Sequence, residues 1–200
     1  MLRVSRPSAL SLAAGLVAWS FVSPRLPVGW RTPLQAGMGA ALVVGTRAPL
    51  GLKPPRLWAG LRLGSVAGAA VVFAIAASTS MPPVRLAMSA RETPESVPTW
   101  LAVQIPLGTV WAEEAAFRGA LASSGGQMLQ AAAFGLSHIP DARAAGQPLL
   151  PTVLVTGIAG WLFGWLARRC GSLAAPMLVH LAINEVGAMA ALVIQRRYTR

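Results

Sequence analysis

The sequence predicts an all-α protein, a polytopic transmembrane helix bundle of about seven spans (six to eight), because one span takes about 20 apolar residues. Apolar residues make up 54% of the 200 residues and charged residues only 12%, about half the charged share of an average soluble domain. The mean hydropathy is +0.58. So few charges cannot cover the surface of a soluble globule, and they also exclude intrinsic disorder, which requires a polar, highly charged chain.

Apolar segments separated by polar or Pro/Gly-rich connections define the predicted spans. They cover residues 9–22, 33–50, 61–81, 99–121, 127–139, 149–167 and 173–194. The basic start Met1–Arg6 resembles that of a secretory signal, but Ser23-Pro24-Arg25 follows the apolar stretch instead of a small-x-small cleavage site. We therefore expect an uncleaved first span.

The connections between the spans are predicted from their turn-forming and charged residues. Lys53-Pro54-Pro55-Arg56 predicts a loop, residues 82–98 form the main polar connection, and residues 141–148 form another loop. The composition changes at residue 98, which divides the chain into N-terminal transmembrane helices (1–98) and a second set of helices (99–195). Neither half could bury its own core, so both belong to one integral membrane domain.

The charge balance points to a membrane rather than to nucleic acid. Lys and Arg number 17 against 6 Asp and Glu, a formal net charge of +11, which in a soluble protein would indicate nucleic-acid binding. No basic run is interleaved with aromatic residues, and most arginines lie between apolar stretches, where they can anchor helix ends against anionic head groups. We predict a multi-pass protein of the cell membrane with the lipid bilayer as a partner and no nucleic acid. The single Cys170 excludes an internal disulfide.

Ionisable residues inside the predicted spans are the main indication of function, because an acid or arginine at mid-membrane costs about 2.5–3.5 kcal/mol. The fourth span carries Glu113, Glu114 and Arg118. The two histidines of the chain are His138, at the end of the fifth segment, and His180, in the seventh. Glu114 and Arg118 are i,i+4 neighbours in the order that favours an ion pair, which would lower the cost of inserting both.

Glu113 is then the acid without a local partner. It points about 100° around the helix from Glu114, which leaves it available for chemistry. His180 and Asn184 are also i,i+4, so their polar groups converge from the last helix. Taken together, Glu113, His138, His180 and Asn184 indicate one shared cavity. Taken singly, each histidine is also consistent with an interhelical hydrogen bond. The Glu114–Arg118 pair is also consistent with a buried ion pair that neutralises itself and serves only helix packing.

Three motifs built from these residues resemble the CPBP family of intramembrane proteases, which includes the type II CAAX prenyl endopeptidases and the bacteriocin-processing or self-immunity (Abi-like) proteins. The motifs are E-E-x-x-x-R at residues 113–118, F-x-x-x-H at 134–138 and H-x-x-x-N at 180–184. They occur in the family's order, each on an apolar segment, and they use both histidines. The resemblance covers about residues 109–185, so residues 99–195 would be the catalytic helices.

The resemblance implies an endopeptidase that cuts a membrane-associated protein or peptide, which is prenylated in the CAAX branch of the family. Glu113 would be the base that activates water, assisted by His138. His180 and Asn184 would form the oxyanion site. These roles fit the chemistry, because peptide hydrolysis needs a base and preorganised donors for the developing oxyanion.

The resemblance gives Glu114 and Arg118 a supporting role, in which they hold the motif helix in place.

Whether a metal takes part is a separate question. Two histidines and a glutamate suit Zn²⁺, and a bound metal would take Glu113, His138 and His180 as ligands. The sequence contains no H-E-x-x-H motif, which zinc proteases carry on a helix. The resemblance favours a metal-independent glutamate mechanism without a cofactor, although such proteins are often described as metalloproteases.

Two other function classes stay open at the level of the residues. Intramembrane Glu and His residues relay protons in transporters and channels, but a transporter needs a continuous polar pathway, and the first three spans offer almost no polar groups for one. A membrane partner that keeps the fold and acts only by binding is the second alternative.

Overall fold

The computed structural model describes residues 6–198, and within this part all regular secondary structure is helical, which confirms the all-α class. The stretch Met1–Ser5, which precedes the first predicted span, lies outside the described residues. A 3₁₀ turn, Ser23–Arg25, joins the first two helices, and one helical turn, Val97–Thr99, leads into the fifth. The helices are α1 (Arg6–Val22), α2 (Val28–Thr46), α3 (Arg56–Ser78), α4 (Pro82–Ser89), α5 (Trp100–Trp111), α6 (Glu114–Leu121), α7 (Ala122–Ser137), α8 (Ile139–Ala144), α9 (Leu149–Cys170) and α10 (Ala174–Tyr198).

Three of the described helices are long and apolar enough to cross a membrane: Arg56–Ser78, Leu149–Cys170 and Ala174–Arg197. The other predicted spans also form helices. However, α1 has 17 residues, and the 16 residues of α7 are interrupted by a kink at Gly126, whose φ/ψ of 81°/179° is not helical. Neither reaches the about 20 residues that one span usually takes. The number of about seven spans therefore stays a prediction.

Two segments predicted as connections contain short helices. α4 lies within the predicted polar connection 82–98, and α8 covers part of the predicted loop 141–148. Both begin with proline in the first turn, where its missing N–H would have no intrahelical partner in any case and its fixed φ suits the helix. Predicting residues 141–148 as a loop was wrong for residues 141–144, because Pro140 starts a helix rather than interrupting one. The polar connection 82–98 contains a helix that the sequence analysis did not predict.

α5 and α6 form one continuous helical rod with the wider π-type winding. Ala112 and Glu113 connect them in right-handed helical conformation, with φ/ψ of −59°/−46° and −75°/−42°. Such winding is rare in proteins and is frequently found at functional sites. The two adjacent glutamates lie at this junction.

α2 runs alongside this rod in the same direction. A Cβ atom at Gly108 would lie 3.1 Å from Thr32 Oγ1, and one at Gly119 would lie 3.3 Å from Val43 Cγ2. The two contacts are equally spaced along both helices, so α2 and α5–α6 keep a common register. The second helix of the N-terminal half thus forms a wall beside the glutamates.

Small residues bring α7 and α9 into close contact, as is common for helices that pack in lipid. A Cβ atom at Gly135 would lie 2.6 Å from the carbonyl oxygen of Val153, and one at Gly160 would lie 2.9 Å from Phe134 Cδ1. The buried Gln130 side chain adds a hydrogen bond, donated by its Nε2 to the carbonyl of Gly160 at 2.9 Å. The tight contact fixes Phe134 in the interior.

We expect Gly135→Ala to destabilise the protein by about 1–3 kcal/mol, because the added methyl group meets a backbone carbonyl that cannot move aside without shifting α9. Gly187→Ala in α10 is the matched control, since a Cβ atom there has nothing within 4 Å and alanine favours a helix. Thermal unfolding of the purified variants in detergent micelles measures the difference. Equal unfolding temperatures for the two variants would contradict the tight α7–α9 contact.

Candidate active site

One cavity of about 530 Å³ is lined by polar side chains from both halves of the chain. Glu113, His138, His180 and Asn184 all line it. The structure therefore brings to one place the four side chains that the sequence analysis groups together. Its other polar lining residues are Ser20, Ser23, Arg31, Thr32, Gln35, Gln104, Thr109, Ser137, Asp141 and Thr156.

The imidazole of His180 lies between the two adjacent glutamates. Its Nδ1 is 2.8 Å from Glu114 Oε1, a hydrogen bond between α10 and α6, and its Nε2 is 3.7 Å from Glu113 Oε2. An ionised Glu114 only accepts hydrogen bonds, so it fixes the proton on Nδ1. Nε2 is left beside Glu113, where it accepts in the neutral ring and donates in the protonated one.

Glu114 also pairs with Arg118 inside the protein. Arg118 Nη1 is 3.3 Å from Glu114 Oε1, and both side chains are fully buried. The guanidinium lies over the ring of Phe134, with Cζ 3.8 Å from its centroid, and 4.9 Å from that of Phe163. A carboxylate and two aromatic faces thus compensate the buried positive charge. The pair holds Glu114 where it can orient His180.

Glu113 has a different environment from its neighbour. Its side chain is 30% exposed, whereas that of Glu114 is 0% exposed. Its Oε2 atom is buried, and no partner among the described residues forms a hydrogen bond with it. A buried acceptor without a protein partner needs a bound water or substrate to satisfy it. Glu113 is thus the carboxylate that the cavity leaves open to a ligand.

His138 is held at the end of α7 by its own helix. Its Nδ1 is 2.8 Å from the carbonyl oxygen of Phe134, which can only accept, so the ring nitrogen donates this bond. The ring also packs edge-on against Phe134, with the centroids 4.6 Å apart. With the proton on Nδ1, Nε2 of the neutral ring is an acceptor.

Asn184 lines the cavity one turn beyond His180, but the two polar side chains do not bond to each other. Asn184 Nδ2 donates to the backbone carbonyl of His180 at 3.1 Å. A carboxamide nitrogen carries two N–H donors. One of them is used within α10, and the second is the one that a ligand in the cavity can use.

Comparison with protein families gives a match over the segment that contains Glu113, His138, His180 and Asn184. The family model described as type II CAAX prenyl endopeptidase, Rce1-like, matches residues 95–186. We refer to this segment, which is similar to that family, as the Rce1-like region. The resemblance to the CPBP proteases is thereby confirmed, and proteolysis in a membrane is the general activity that the family implies. The searches of curated proteins and of solved structures give no significant match.

Phe134 is a central residue of the Rce1-like region to which the sequence analysis assigns no role. Its ring contacts those of His138 and His180, with centroids 4.6 and 6.3 Å away, and also carries the Arg118 guanidinium. It therefore sets the positions of both histidines. Its place as the first residue of the F-x-x-x-H motif is the signal that could have indicated this.

The zinc ligand set considered for the Rce1-like region does not fit the geometry. Among residues 6–198, no three His, Cys, Asp or Glu side chains come together in a way that could hold a metal ion. This includes Glu113, His138 and His180. We assign no step of the reaction to a metal.

Proposed function

We propose that this chain is an intramembrane endopeptidase that hydrolyses a peptide bond of a membrane-associated, prenylated protein or peptide. Residues 99–195 supply the catalytic helices, and the protein is a multi-pass component of the cell membrane. The observation that carries the proposal is the open Glu113 carboxylate in the same cavity as His138, His180 and Asn184. The volume of about 530 Å³ falls in the range of about 300–1,000 Å³ typical of ligand sites.

Glu113 acts as the general base in this proposal. Its Oε2 accepts a proton from a water molecule, and the water oxygen attacks the scissile carbonyl carbon. Nε2 of His138 accepts a second hydrogen bond from the same water and so orients it. A positioned base of this kind contributes about 10²–10⁴-fold to a rate. No cofactor enters this step.

His180 and Asn184 stabilise the negative charge that develops on the carbonyl oxygen. This role requires a protonated His180, whose Nδ1 donates to Glu114 while Nε2 donates to the oxyanion. Asn184 contributes its second amide N–H. Donors held in place before the reaction stabilise such charge strongly. As the C–N bond breaks, Glu113 returns the proton to the leaving nitrogen, which gives a new carboxyl terminus and a free amine.

The proposal is tested by reconstituting the protein in liposomes with a farnesylated CAAX peptide in H₂¹⁸O. Mass spectrometry should show cleavage and one ¹⁸O atom in the new carboxyl group. Glu113→Ala and His180→Ala should each lower the rate by at least about 10²-fold while the protein stays folded and inserted. Glu185→Ala, in α10 but outside the cavity lining, is the control and should cleave normally. Cleavage at the normal rate by either cavity variant contradicts the proposed mechanism.

A further inference from the structure

The cavity contains a cation that the proposed reaction does not use. Arg31, in the first turns of α2, lines the cavity. Within the described part of the chain, no carboxylate forms an ion pair with it. Its Nη2 donates to the carbonyl of Pro24 at 2.7 Å, whereas its Nε is buried without a hydrogen-bond partner among those residues. A buried donor without a partner is costly, so this guanidinium is set up to receive an acceptor.

The position of Arg31 separates it from the bond-cleaving groups. Thr32, the next residue, lies level with Gly108 of the parallel rod, and Glu113 lies five residues further along that rod. Arg31 and Glu113 are therefore offset by about six residues in this register, or about 9 Å along the axis of α2 at 1.5 Å per residue. An extended peptide covers that distance with about three residues. A peptide cut beside Glu113 would therefore reach Arg31 away from its scissile bond, at a position suited to recognition rather than to catalysis.

The charges of the cavity indicate what Arg31 binds. Glu113 and Asp141 are the acidic residues among the lining side chains, and they repel an anionic substrate unless a cation compensates for them. A planar guanidinium matches a carboxylate in shape and binds it through two parallel hydrogen bonds. We propose that Arg31 binds a carboxylate group of the peptide substrate. This inference rests on the proposed function, because it concerns the substrate of the same cavity.

Three forms of one farnesylated CAAX peptide test the inference: the C-terminal acid, the C-terminal amide, and an amide whose last residue is glutamate. We expect the wild-type protein to prefer a carboxylate form over the plain amide in kcat/KM by about tenfold or more, the usual effect of a charged hydrogen bond. Arg31→Gln should remove this preference and leave cleavage of the plain amide unchanged. The form that is preferred shows whether the carboxylate is terminal or on a side chain.

Arg25→Gln is the matched control. Arg25 belongs to the neighbouring 3₁₀ turn and is not among the cavity-lining residues, so its loss removes the same charge outside the site. This variant should keep the wild-type preference, and Arg31→Lys should keep part of it. Normal cleavage of the plain amide by Arg31→Gln shows that the variant folds. The inference is overturned when wild type and Arg31→Gln cleave all three peptides with the same relative efficiencies.

Binding separates this inference from the proposed function. In the Glu113→Gln protein, which should hold the peptide without cutting it, fluorescence anisotropy measures the affinity for the acid and amide peptides directly. Adding Arg31→Gln should weaken binding of the carboxylate form about tenfold and leave the amide unaffected. Selective binding without any cleavage by the wild type would refute the protease mechanism and keep the Arg31 site. Cleavage by the wild type without any preference for the carboxylate form would keep the protease mechanism and refute the Arg31 site.

Discussion

Replacing Glu113 with glutamine is expected to lower kcat for peptide cleavage by about 10³-fold and to leave the thermal stability of the protein unchanged. Glutamine has the same shape but cannot accept a proton from water. The substitution breaks no hydrogen bond of Oε2 within the described residues, because that atom has none and His180 Nε2, at 3.7 Å, lies beyond hydrogen-bond distance. The folded state therefore loses little. KM should change much less than kcat, since in the proposed mechanism Glu113 acts on the water rather than on peptide binding.

The measurement combines cleavage assays in liposomes with thermal unfolding in micelles. Glu92→Gln makes the same change in charge at an exposed position between α4 and α5 and should behave as the wild type in both assays. A Glu113→Gln protein that still cleaves at the wild-type rate would exclude this residue as the base. A large fall in its unfolding temperature would show instead that Glu113 is a structural residue.

Replacing the adjacent Glu114 with glutamine is expected to have the opposite main effect, a loss of about 3–5 kcal/mol in the free energy of unfolding. Arg118 is fully buried and has Glu114 as its carboxylate partner at 3.3 Å. An arginine does not lose its proton to escape an apolar interior, so the charge remains there without its partner. Activity should fall as well, because the carboxylate that orients His180 is lost.

A double variant separates these two consequences. Glu114→Gln combined with Arg118→Met removes the buried charge, so it should recover most of the lost stability. It should not recover activity, since His180 still lacks its anionic partner. Glu95→Gln, at an exposed site, is the control for the single change. A Glu114→Gln protein as stable as the wild type, or a double variant less stable than the single one, would contradict this account of the buried pair.

Much of the helical fold could be predicted because its signals are local. Apolar segments of about 20 residues indicate helices such as α3, α9 and α10 whatever their neighbours are. The Glu114–Arg118 contact is equally local, since the two residues are one helical turn apart. α4 and α8 were not predicted because proline interrupts a helix at an interior position but favours its start in the first turn. The sequence alone did not show which position these prolines take.

The contacts that organise the site depend on the tertiary structure and could not be predicted. The bond between Glu114 and His180 joins residues 66 positions apart. From the sequence, Glu114 is paired with Arg118 and His180 with Asn184, in each case on the same helix. In the structure Glu114 keeps its pairing with Arg118 and also links its helix to that of His180. The contribution of α2 to the cavity was not predicted for the same reason. No local sequence pattern shows which residues of the first half of the chain line the cavity.

The common register of α2 with the α5–α6 rod bears on how this protein and its relatives can diverge. The groups that we propose to break the bond lie in the matched segment 95–186, whereas Arg31, Thr32 and Gln35 line the same cavity from outside it. If the proposed function holds, we expect mutations in the first two helices to change which peptides are accepted without disturbing hydrolysis. On this account, substrate specificity and bond cleavage are encoded in separate parts of the gene.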